Sequence, residues 1–367
     1  MSDLRKSRGP RLRVPNQNPM GKSITINDVA KRAGVSIGTV DRVIHNRGEV
    51  SRKSTEKVRK AIEELHYEPN LHASLLASRS EKVISCLLPE GGEGSYWGDV
   101  YNAIRAEEEE VHVMNVRMNY FFFNMNDLAS FRDAGRKMIE SPADGAIIAP
   151  LFGYEAAKLA EVLKAMGRSY LYIDTKIEDD GCIAYIGMPK YKSGYLCASL
   201  LSSDFSAGVP EKVAVIRVRR DKAGQSDPTV NRRQGFSEYM AQHYPSCGIE
   251  SIFIDPEPSE VRRMLEMSLD PGIRHIAMLS SRIWLLSEYL EHHRKEGMKV
   301  VGFDGIAGNL DMLRNGQADI IITQHIDRLA RKAVGTMVDH LVLSRQPENK
   351  DIYTHMDILT ALNLDNY

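Results

Sequence analysis

The chain has 367 residues, a formal net charge of −1, and 43% hydrophobic and 26% charged residues. This length is sufficient for two or three domains, each with its own core. No apolar run approaches the ~20 residues of a membrane span, and no apolar stretch follows the basic N-terminus, so neither a membrane protein nor a secreted protein is indicated. Four cysteines without metal-binding or redox spacing favour reduced thiols in a cytosolic protein: Cys86, Cys182, Cys197 and Cys247.

The near-zero net charge hides an asymmetry along the chain. Residues 1–80 contain 16 Lys and Arg against 8 Asp and Glu, whereas the remainder contains 32 against 41. A basic head on an acidic body indicates that the head meets a polyanion. Charge alone does not distinguish DNA from RNA or from an acidic protein.

The first 22 residues are polar, contain prolines and show no hydrophobic periodicity, which predicts a disordered basic extension. Met20 lies just before the first patterned segment. We therefore hypothesise that translation starts at Met20 rather than at Met1. N-terminal sequencing that found residues upstream of Met20 in the native protein would contradict this.

Residues 23–68 are predicted to form three short helices. Thr25 and Asp28 have the spacing of a capping box, Gly34 is placed to make a turn, and Ser36 and Ser51 are placed to cap the second and third helices. Apolar residues at helical spacing give each helix a buried face: Ile26, Val29, Ala30 and Ala33; Ile37, Val40, Val43 and Ile44; Val58, Ala61, Ile62 and Leu65.

The first two helices have the features of a helix-turn-helix, in which one helix supports another in the major groove of DNA. Ala30 is small enough for close approach, Gly34 can adopt the positive φ of the turn, and Val40 lies inside the second helix. An unrelated three-helix domain is the alternative interpretation.

Residues 69–81 form a short linker with latent helical character, and the pattern changes at residue 82. Short β-branched or aromatic runs then alternate with helical stretches, which predicts an α/β body, residues 82–367, of two lobes with parallel sheets. The predicted strands are Val83–Leu88, Val113–Phe123, Gly145–Ala149, Tyr170–Asp174, Val213–Val218, Ile252–Asp255, Ile276–Leu279, Val300–Asp304 and Ile320–Thr323.

The segment ITINDVAKRAGVSIGTVDRVIHNRGEVSRKSTEKVRKAIEELHYEPN, residues 24–70, closely resembles the headpiece of lactose-repressor (LacI/GalR) family transcription regulators. The matching elements include Asp28-Val29-Ala30, Ala33-Gly34-Val35-Ser36, Thr39-Val40, Arg42-Val43, Val50-Ser51, Tyr67 and Pro69-Asn70. The resemblance implies a small all-α DNA-binding headpiece joined to a periplasmic-binding-protein-like body.

By this resemblance, the second helix carries the DNA contacts. Ile37, Gly38 and Arg42 occupy base-contacting positions, and Ser36 and Thr39 occupy phosphate-contacting ones. Arg42 is the strongest physical candidate, because a guanidinium pairs bidentately with guanine. The carboxylate of Asp41 departs from the family pattern, so it either accepts a hydrogen bond from cytosine or pairs with a neighbouring arginine.

The linker resembles the hinge helix of the same family at Asn70, Ala73 and Leu76. The resemblance implies that Leu76 wedges between base pairs from the minor groove. A plain interdomain linker is the alternative.

The resemblance also implies a ligand cleft between the two lobes, with polar residues that follow the strands contacting an effector. The candidates are Trp97, Asp174, Arg232, Asp304 and Gln324. Carboxylates accept hydrogen bonds from vicinal hydroxyls and arginine donates them, so this set suits a monosaccharide, polyol or sugar acid. Each residue also has a structural interpretation, since a strand-terminal Asp often caps the next helix and an Arg often forms an ion pair. Ser280-Ser281 replaces the Asn-Asp pair of many relatives.

No phosphate-binding loop, dinucleotide fingerprint, nucleophile elbow or zinc-type histidine spacing is found, so we expect no enzyme, cofactor or metal site. We expect a homodimer in the bacterial cytoplasm, associated with the nucleoid, that binds a palindromic double-stranded operator and responds to the effector, most simply as a repressor. An activator, a regulator with a non-sugar effector, a DNA-tethered enzyme and a sugar-binding protein without gene regulation are the alternatives. A nucleophile–base pair would favour the enzyme, and a signal peptide would favour the sugar-binding protein.

Overall fold

The structure is a computed structural model that describes residues 24–44, 50–65, 81–205, 211–219 and 229–366. The chain divides into two compact units, Met1–Ala77 and Ser78–Tyr367. In the part of the chain that the structure describes, no helix is both long enough and apolar enough to cross a bilayer.

The described part of the first unit consists of the three expected helices, α1 (Ile26–Ala33), α2 (Ile37–Ile44) and α3 (Arg52–Leu65). The backbone amide and the hydroxyl of Thr25 both donate to Asp28 Oδ2, at 2.8 and 2.7 Å, which stabilises the start of α1. Gly34 ends α1 with a φ of 65°, so the predicted positive φ of the turn is confirmed.

Serine side chains begin the next two helices, as the sequence predicts. Ser36 Oγ accepts from the Thr39 amide at 3.2 Å, and Ser51 Oγ accepts from the Ser54 amide at 3.3 Å. Each amide also donates to the carbonyl oxygen of the same serine, at 3.0 and 2.9 Å, so the two serines fix where the helices begin.

A small apolar core holds the three helices together. Its centre is made of fully buried residues from each helix, including Val29, Val40 and Val58. The prediction that Ile37 shares the buried face of α2 is wrong, because 47% of Ile37 is exposed to solvent. Ile37 is the first residue of α2, and Val40, one turn later, provides the contact with the core.

The described body contains strands in two sheets. In chain order they are β1 (Lys82–Pro89), β2 (Val116–Phe123), β3 (Gly145–Ile148), β4 (Ser169–Ile173), β5 (Tyr185–Gly187), β6 (Lys212–Val218), β7 (Gly248–Ile254), β8 (His275–Met278), β9 (Lys299–Phe303), β10 (Ile320–Thr323), β11 (Asp351–Tyr353) and β12 (Asp357–Leu359).

Helices cover the faces of these sheets. They are α4 (Tyr96–Val111), α5 (Leu128–Glu140), α6 (Gly153–Ala165), α7 (Lys190–Leu201), α8 (Val230–His243), α9 (Pro258–Ser268), α10 (Ser287–His293), α11 (Ala307–Arg314) and α12 (Ile326–Leu343), with short 3-10 turns at His112–Met114, Ile283–Leu286 and Leu364–Asn366.

Each lobe is built on one six-stranded sheet. The strand order is β11-β5-β4-β3-β1-β2 in lobe 1 and β12-β10-β9-β8-β6-β7 in lobe 2. The described pairings are parallel except that of β10 with β12. In the centre of lobe 1, Leu87 of β1 lies opposite Phe121 of β2 and Ile148 of β3. The two-lobed α/β body predicted from the sequence is therefore confirmed.

The strand predictions differ from the structure at their edges. The run that begins at Val113 starts as a strand only at Val116, because His112–Met114 forms a 3-10 turn and Asn115 has a φ of 56°. Conversely, β7 begins at Gly248, four residues before the predicted Ile252. The strands β5, β11 and β12 were not predicted, because three residues are too few to show a period.

The chain crosses between the lobes three times. The crossings lie between Gly187 and Lys190, between Thr323 and Ile326, and between Tyr353 and Asp357, since each joins elements that belong to different sheets or cores. Every change in the angle between the lobes must pass through these three segments.

Helices α7 and α8 approach closely at two glycines. A β-carbon at Gly194 would lie 1.8 Å from the carbonyl oxygen of Arg232, and one at Gly235 would lie 2.0 Å from the carbonyl oxygen of Tyr191. Both obstacles are backbone atoms, which cannot move aside unless the helices separate. The contact therefore holds the first turn of α8, which carries Arg232, against α7.

We predict that Gly194→Ala lowers the free energy of unfolding by roughly 1–3 kcal/mol, because it overpacks this contact. Urea unfolding followed by circular dichroism measures the change. Gly335→Ala is the matched control: a β-carbon there meets nothing within 4 Å, and it lies inside α12. The control should be stabilised by roughly 0.5–1 kcal/mol. Equal stability of the two variants would contradict the close approach of α7 and α8.

Candidate functional site

A cleft of about 810 Å³ lies between the two lobes. Its walls come from the segments that follow the carboxyl ends of strands in both sheets, which is where parallel α/β sheets place their ligands. Lobe 1 contributes Asp174 after β4, and lobe 2 contributes Asp304 after β9 and the first turn of α8. The volume is in the range of small-molecule binding sites.

Asp174 is a buried carboxylate that is fully engaged by its neighbours. Lys190 Nζ and Tyr96 Oη each donate to Asp174 Oδ1 at 2.8 Å, and Thr175 Oγ1 donates to Oδ2 at 3.1 Å. Burial acts to raise the pKa of this carboxyl, but Lys190 and the hydrogen bonds hold its pKa below the ordinary value. Asp174 is therefore ionised at neutral pH and paired across the cleft with the start of α7.

Gln324 lies behind Tyr96 and does not line the cleft. Its Nε2 donates to Tyr96 Oη at 2.9 Å, and its Oε1 accepts from Thr354 Oγ1 at 2.7 Å. Both ends of the amide are therefore engaged within the protein. The structure places Gln324 in the second crossing and Thr354 in the third, so this residue joins crossings and supports Tyr96.

Asp304, unlike Asp174, has a carboxylate oxygen that its described neighbours leave unsatisfied. It is buried, and its Oδ1 has no hydrogen-bond partner among the described residues. Burial raises the pKa of this carboxyl, and Asp174 adds to the rise, while Arg232 and Lys190 oppose it. Its φ of 67° is in the left-handed region, where a residue other than glycine is strained. An unsatisfied buried acceptor with a strained backbone, on the wall of a cleft, is typical of a ligand-binding residue.

Arg232 is held by neutral groups. Its guanidinium donates to the carbonyl oxygen of Leu279 at 3.0 Å and to Ser193 Oγ at 3.3 Å, and it stacks over the ring of Phe303 at 4.0 Å. The described contacts of Arg232 therefore do not include the ion pair that was the structural alternative. They fix its guanidinium at the wall of the cleft, beside Asp304.

The two tryptophans of the chain, Trp97 and Trp284, both line the cleft. Trp97 is only 6% exposed and packs edge-to-face against Tyr96, with 5.2 Å between ring centroids. Trp284 is 37% exposed on lobe 2. Since no other tryptophan contributes, intrinsic tryptophan emission reports on this cleft alone.

Asn309 organises the lobe 2 wall and was not predicted from the sequence. Its Nδ2 lies 2.8–2.9 Å from the carbonyl oxygens of Ser281, Phe303 and Asp304, and its Oδ1 accepts from the Trp284 amide at 3.1 Å. This buried amide ties the loop after β8 to the loop after β9. The sequence of α11 does not distinguish Asn309 from the other polar residues of this helix, Asp311 and Arg314.

The predicted DNA contacts lie on the first two turns of α2 or just before it. Ser36, Ile37, Gly38 and Arg42 are exposed, and Thr39 is partly exposed. Arg42 and Gly38 are one turn apart, so they lie on the same face.

The remaining predicted DNA contacts are less accessible or outside the structure. Asp41 is partly buried. The hinge residues Asn70, Ala73 and Leu76 lie outside the described residues, so their roles stay predictions.

Comparisons with known proteins agree with this organisation. Residues 84–344 match a periplasmic binding protein domain, and residues 25–70 match the bacterial regulatory proteins of the lacI family. A helix-turn-helix joined to a two-lobed ligand-binding body defines a ligand-sensing class of DNA-binding protein. This chain belongs to the lacI family and is a transcriptional regulator.

The chain is similar to relatives of named function. The sucrose operon repressor of Pediococcus pentosaceus is 26% identical over 77% of this chain and 82% of its own. The HTH-type transcriptional regulator AscG of Escherichia coli is 24% identical over 77% of this chain and 82% of its own. A crystal structure described as a LacI transcriptional regulator from Bacteroides fragilis is 27% identical, covers 78% of this chain and all of its own, and superposes with a TM-score of 0.73.

We predict that Asp304→Asn stabilises the ligand-free protein at neutral pH by roughly 1–3 kcal/mol, because it removes a buried, unsatisfied charge. A raised folded-state pKa means that the contribution of this group is favourable below its ordinary pKa and is lost as the pH rises through the folded-state value. The advantage of the variant should therefore disappear below about pH 4.

Thermal unfolding between pH 3 and pH 8 tests this dependence. Asp311→Asn is the control, because Asp311 is exposed and forms a surface ion pair with Arg314 at 2.7 Å, so little change is expected at any pH. A lower stability of Asp304→Asn across the whole range would show that the protein itself satisfies this carboxylate.

Proposed function

We propose that this regulator is a homodimer that binds a roughly palindromic double-stranded operator in the bacterial cytoplasm, one headpiece to each half-site. A sugar-like effector in the cleft changes its affinity for that operator. The observation that carries the proposal is the unpartnered Oδ1 of Asp304 on the wall of a cleft of about 810 Å³, in a chain that also has a DNA-binding headpiece.

The chemistry of the cleft suits a hydroxylated ligand. Oδ1 of Asp304 lacks a hydrogen-bond donor among the described residues, and a sugar hydroxyl supplies one. Arg232 presents a fixed guanidinium beside it, and Trp97 presents an apolar ring to the same cleft. The Pediococcus relative is named a sucrose operon repressor, and this name supports a sugar-like effector in general. The specific proposal of a monosaccharide, polyol or sugar acid rests on the side chains of the cleft.

The DNA-binding role is assigned to α2. Arg42 and Gly38 lie on its exposed side, with Ile37 at its start and Ser36 and Thr39 at the N-terminal end. We propose that Arg42 contacts a base, that Ser36 and Thr39 contact phosphates, and that Gly38 permits close approach of the backbone. Asp41 either accepts from a base or orients an arginine.

Coupling between the two sites is proposed to pass through the hinge, residues 69–81. Closure of the cleft changes the angle between the lobes, which changes the spacing of the two hinges in the dimer. Because a short helix has little stability by itself, a hinge that folds only on DNA is readily disturbed by such a change. A coupling free energy of ~1–3 kcal/mol is typical.

We predict that Arg42→Ala weakens binding to the preferred operator by roughly 5- to 150-fold, because a bidentate contact with guanine contributes ~1–3 kcal/mol of discrimination. Binding is measured by fluorescence anisotropy on duplexes selected from random sequence with the wild-type protein. Binding to unrelated DNA should change much less.

Lys60→Ala is the matched control for that experiment. Lys60 is an exposed cation on α3 whose ion pair with Glu64 spans 3.9 Å, so it tests the general effect of losing one positive charge. An equal loss of affinity in both variants, on both kinds of DNA, would contradict base reading by Arg42. The same duplexes, in the presence of ligand, show whether the effector releases the regulator or recruits it.

A further inference from the structure

We propose that the effector carries an anionic group, a carboxylate or a phosphate, and that Arg282 binds it. This inference rests on the function proposed above and specifies the chemical class of the ligand. Arg282 lies on the cleft wall, in the loop between β8 and the 3-10 turn Ile283–Leu286.

Arg282 is a desolvated cation, and most of its N–H donors have no acceptor among the described residues. Its one described hydrogen bond goes from a terminal nitrogen to the sulfur of Met125, at 3.2 Å. A thioether is a weak acceptor, and a guanidinium has five N–H donors. Burial lowers the pKa of Arg282, and no carboxylate of the described residues opposes that effect. Removing such a charge from water costs free energy unless an oppositely charged group pairs with it.

Two other cations of the cleft, Lys190 and Arg232, are already engaged. Lys190 is paired with Asp174 at 2.8 Å, and Arg232 is held by a carbonyl oxygen, by Ser193 and by the ring of Phe303. The acidic residues Glu90 and Glu93 line the cleft from lobe 1 but are exposed. Arg217 and Arg233 also line the cleft, and each has a partner. Arg282 is therefore the cation that we propose for the ligand.

Arg282 and Asp304 are placed to contact one small molecule. Asn309 Nδ2 donates to the carbonyl oxygens of Ser281, the residue before Arg282, and of Asp304, at 2.9 and 2.8 Å. The two loops are consequently held side by side. A ligand with hydroxyls for Asp304 and an anion for Arg282 satisfies both buried groups at once, and planar carboxylates and phosphates match the fork of a guanidinium.

Arg282 also contacts lobe 1. Met125 follows β2, so the bond between Arg282 and its sulfur crosses the cleft. An anion that binds the guanidinium of Arg282 replaces the weak hydrogen bond to the Met125 sulfur with a strong ionic one. This exchange takes place where the two lobes meet.

Tryptophan emission tests the proposal, because Trp97 and Trp284 both line the cleft. The purified full-length protein is titrated with matched sets of probes: D-glucose, D-glucuronate and D-glucose 6-phosphate; and D-galactose, D-galacturonate and D-galactose 1-phosphate. We expect at least one acid or phosphate to bind at least 10-fold more tightly than its neutral parent. The acid and phosphate members of each set distinguish the two sources of the anion.

The variant Arg282→Gln should lose about 10- to 100-fold in affinity for the anionic probe, the range for one charge-assisted contact. Arg282→Lys, which keeps the charge without the fork, should recover part of it. Arg263→Gln is the control, since Arg263 is exposed on α9 and binds Glu260. Thermal unfolding verifies that each variant is folded, and Arg282→Gln is expected to be at least as stable as the wild type.

The possible failures are distinguishable. If a neutral sugar binds and its anionic derivatives bind no more tightly, or if Arg282→Gln binds the anionic probe as the wild type does, the anionic effector is rejected and the sugar effector stands. If no member of the panel changes the emission, the sugar effector itself is rejected, and the present inference with it.

Discussion

An ionised carboxylate is costly to bury without partners, and the way in which Asp174 is satisfied determines how the two lobes are joined. Its partners are Lys190, at the end of the first crossing, and Tyr96, whose hydroxyl also accepts from Gln324 in the second crossing. Gln324 in turn accepts from Thr354 in the third crossing. One buried network therefore connects all three segments through which the lobes can move, and the cleft opens directly beside it.

The two lobes treat equivalent carboxylates differently. Asp174 and Asp304 follow strands at the same position in their sheets, and both have positive φ, 61° and 67°. The lobe 1 carboxylate is neutralised within the protein, whereas the lobe 2 carboxylate has an oxygen with no described partner. We therefore propose different roles for the two carboxylates. Asp174 holds the network of the three crossings together, and Asp304, with Arg282, binds the ligand. A ligand that binds Asp304 and Arg282 more tightly in the closed cleft than in the open one shifts the equilibrium toward the closed cleft.

The features that could be predicted from the sequence are those that depend on neighbouring residues in the chain. The capping residues Thr25, Ser36 and Ser51 and the turn at Gly34 depend on neighbours within four residues, and the central strands are continuous apolar runs. The three-residue strands exist only because a sheet edge accepts them. Gln324 was predicted as a candidate contact from its place after a strand, but which side of Tyr96 it occupies is decided by tertiary packing. Asn309 and Arg282 gave no signal for the same reason, although Arg282 follows the Ser280-Ser281 departure.

We propose that occupancy of the cleft controls the affinity for DNA. The most direct measurement follows tryptophan emission and the anisotropy of a labelled operator in the same sample while the best ligand of the panel is added. If occupancy controls affinity, both signals change with one midpoint and operator affinity shifts by roughly 5- to 150-fold at saturation. An operator affinity that stays constant while the cleft fills would contradict it.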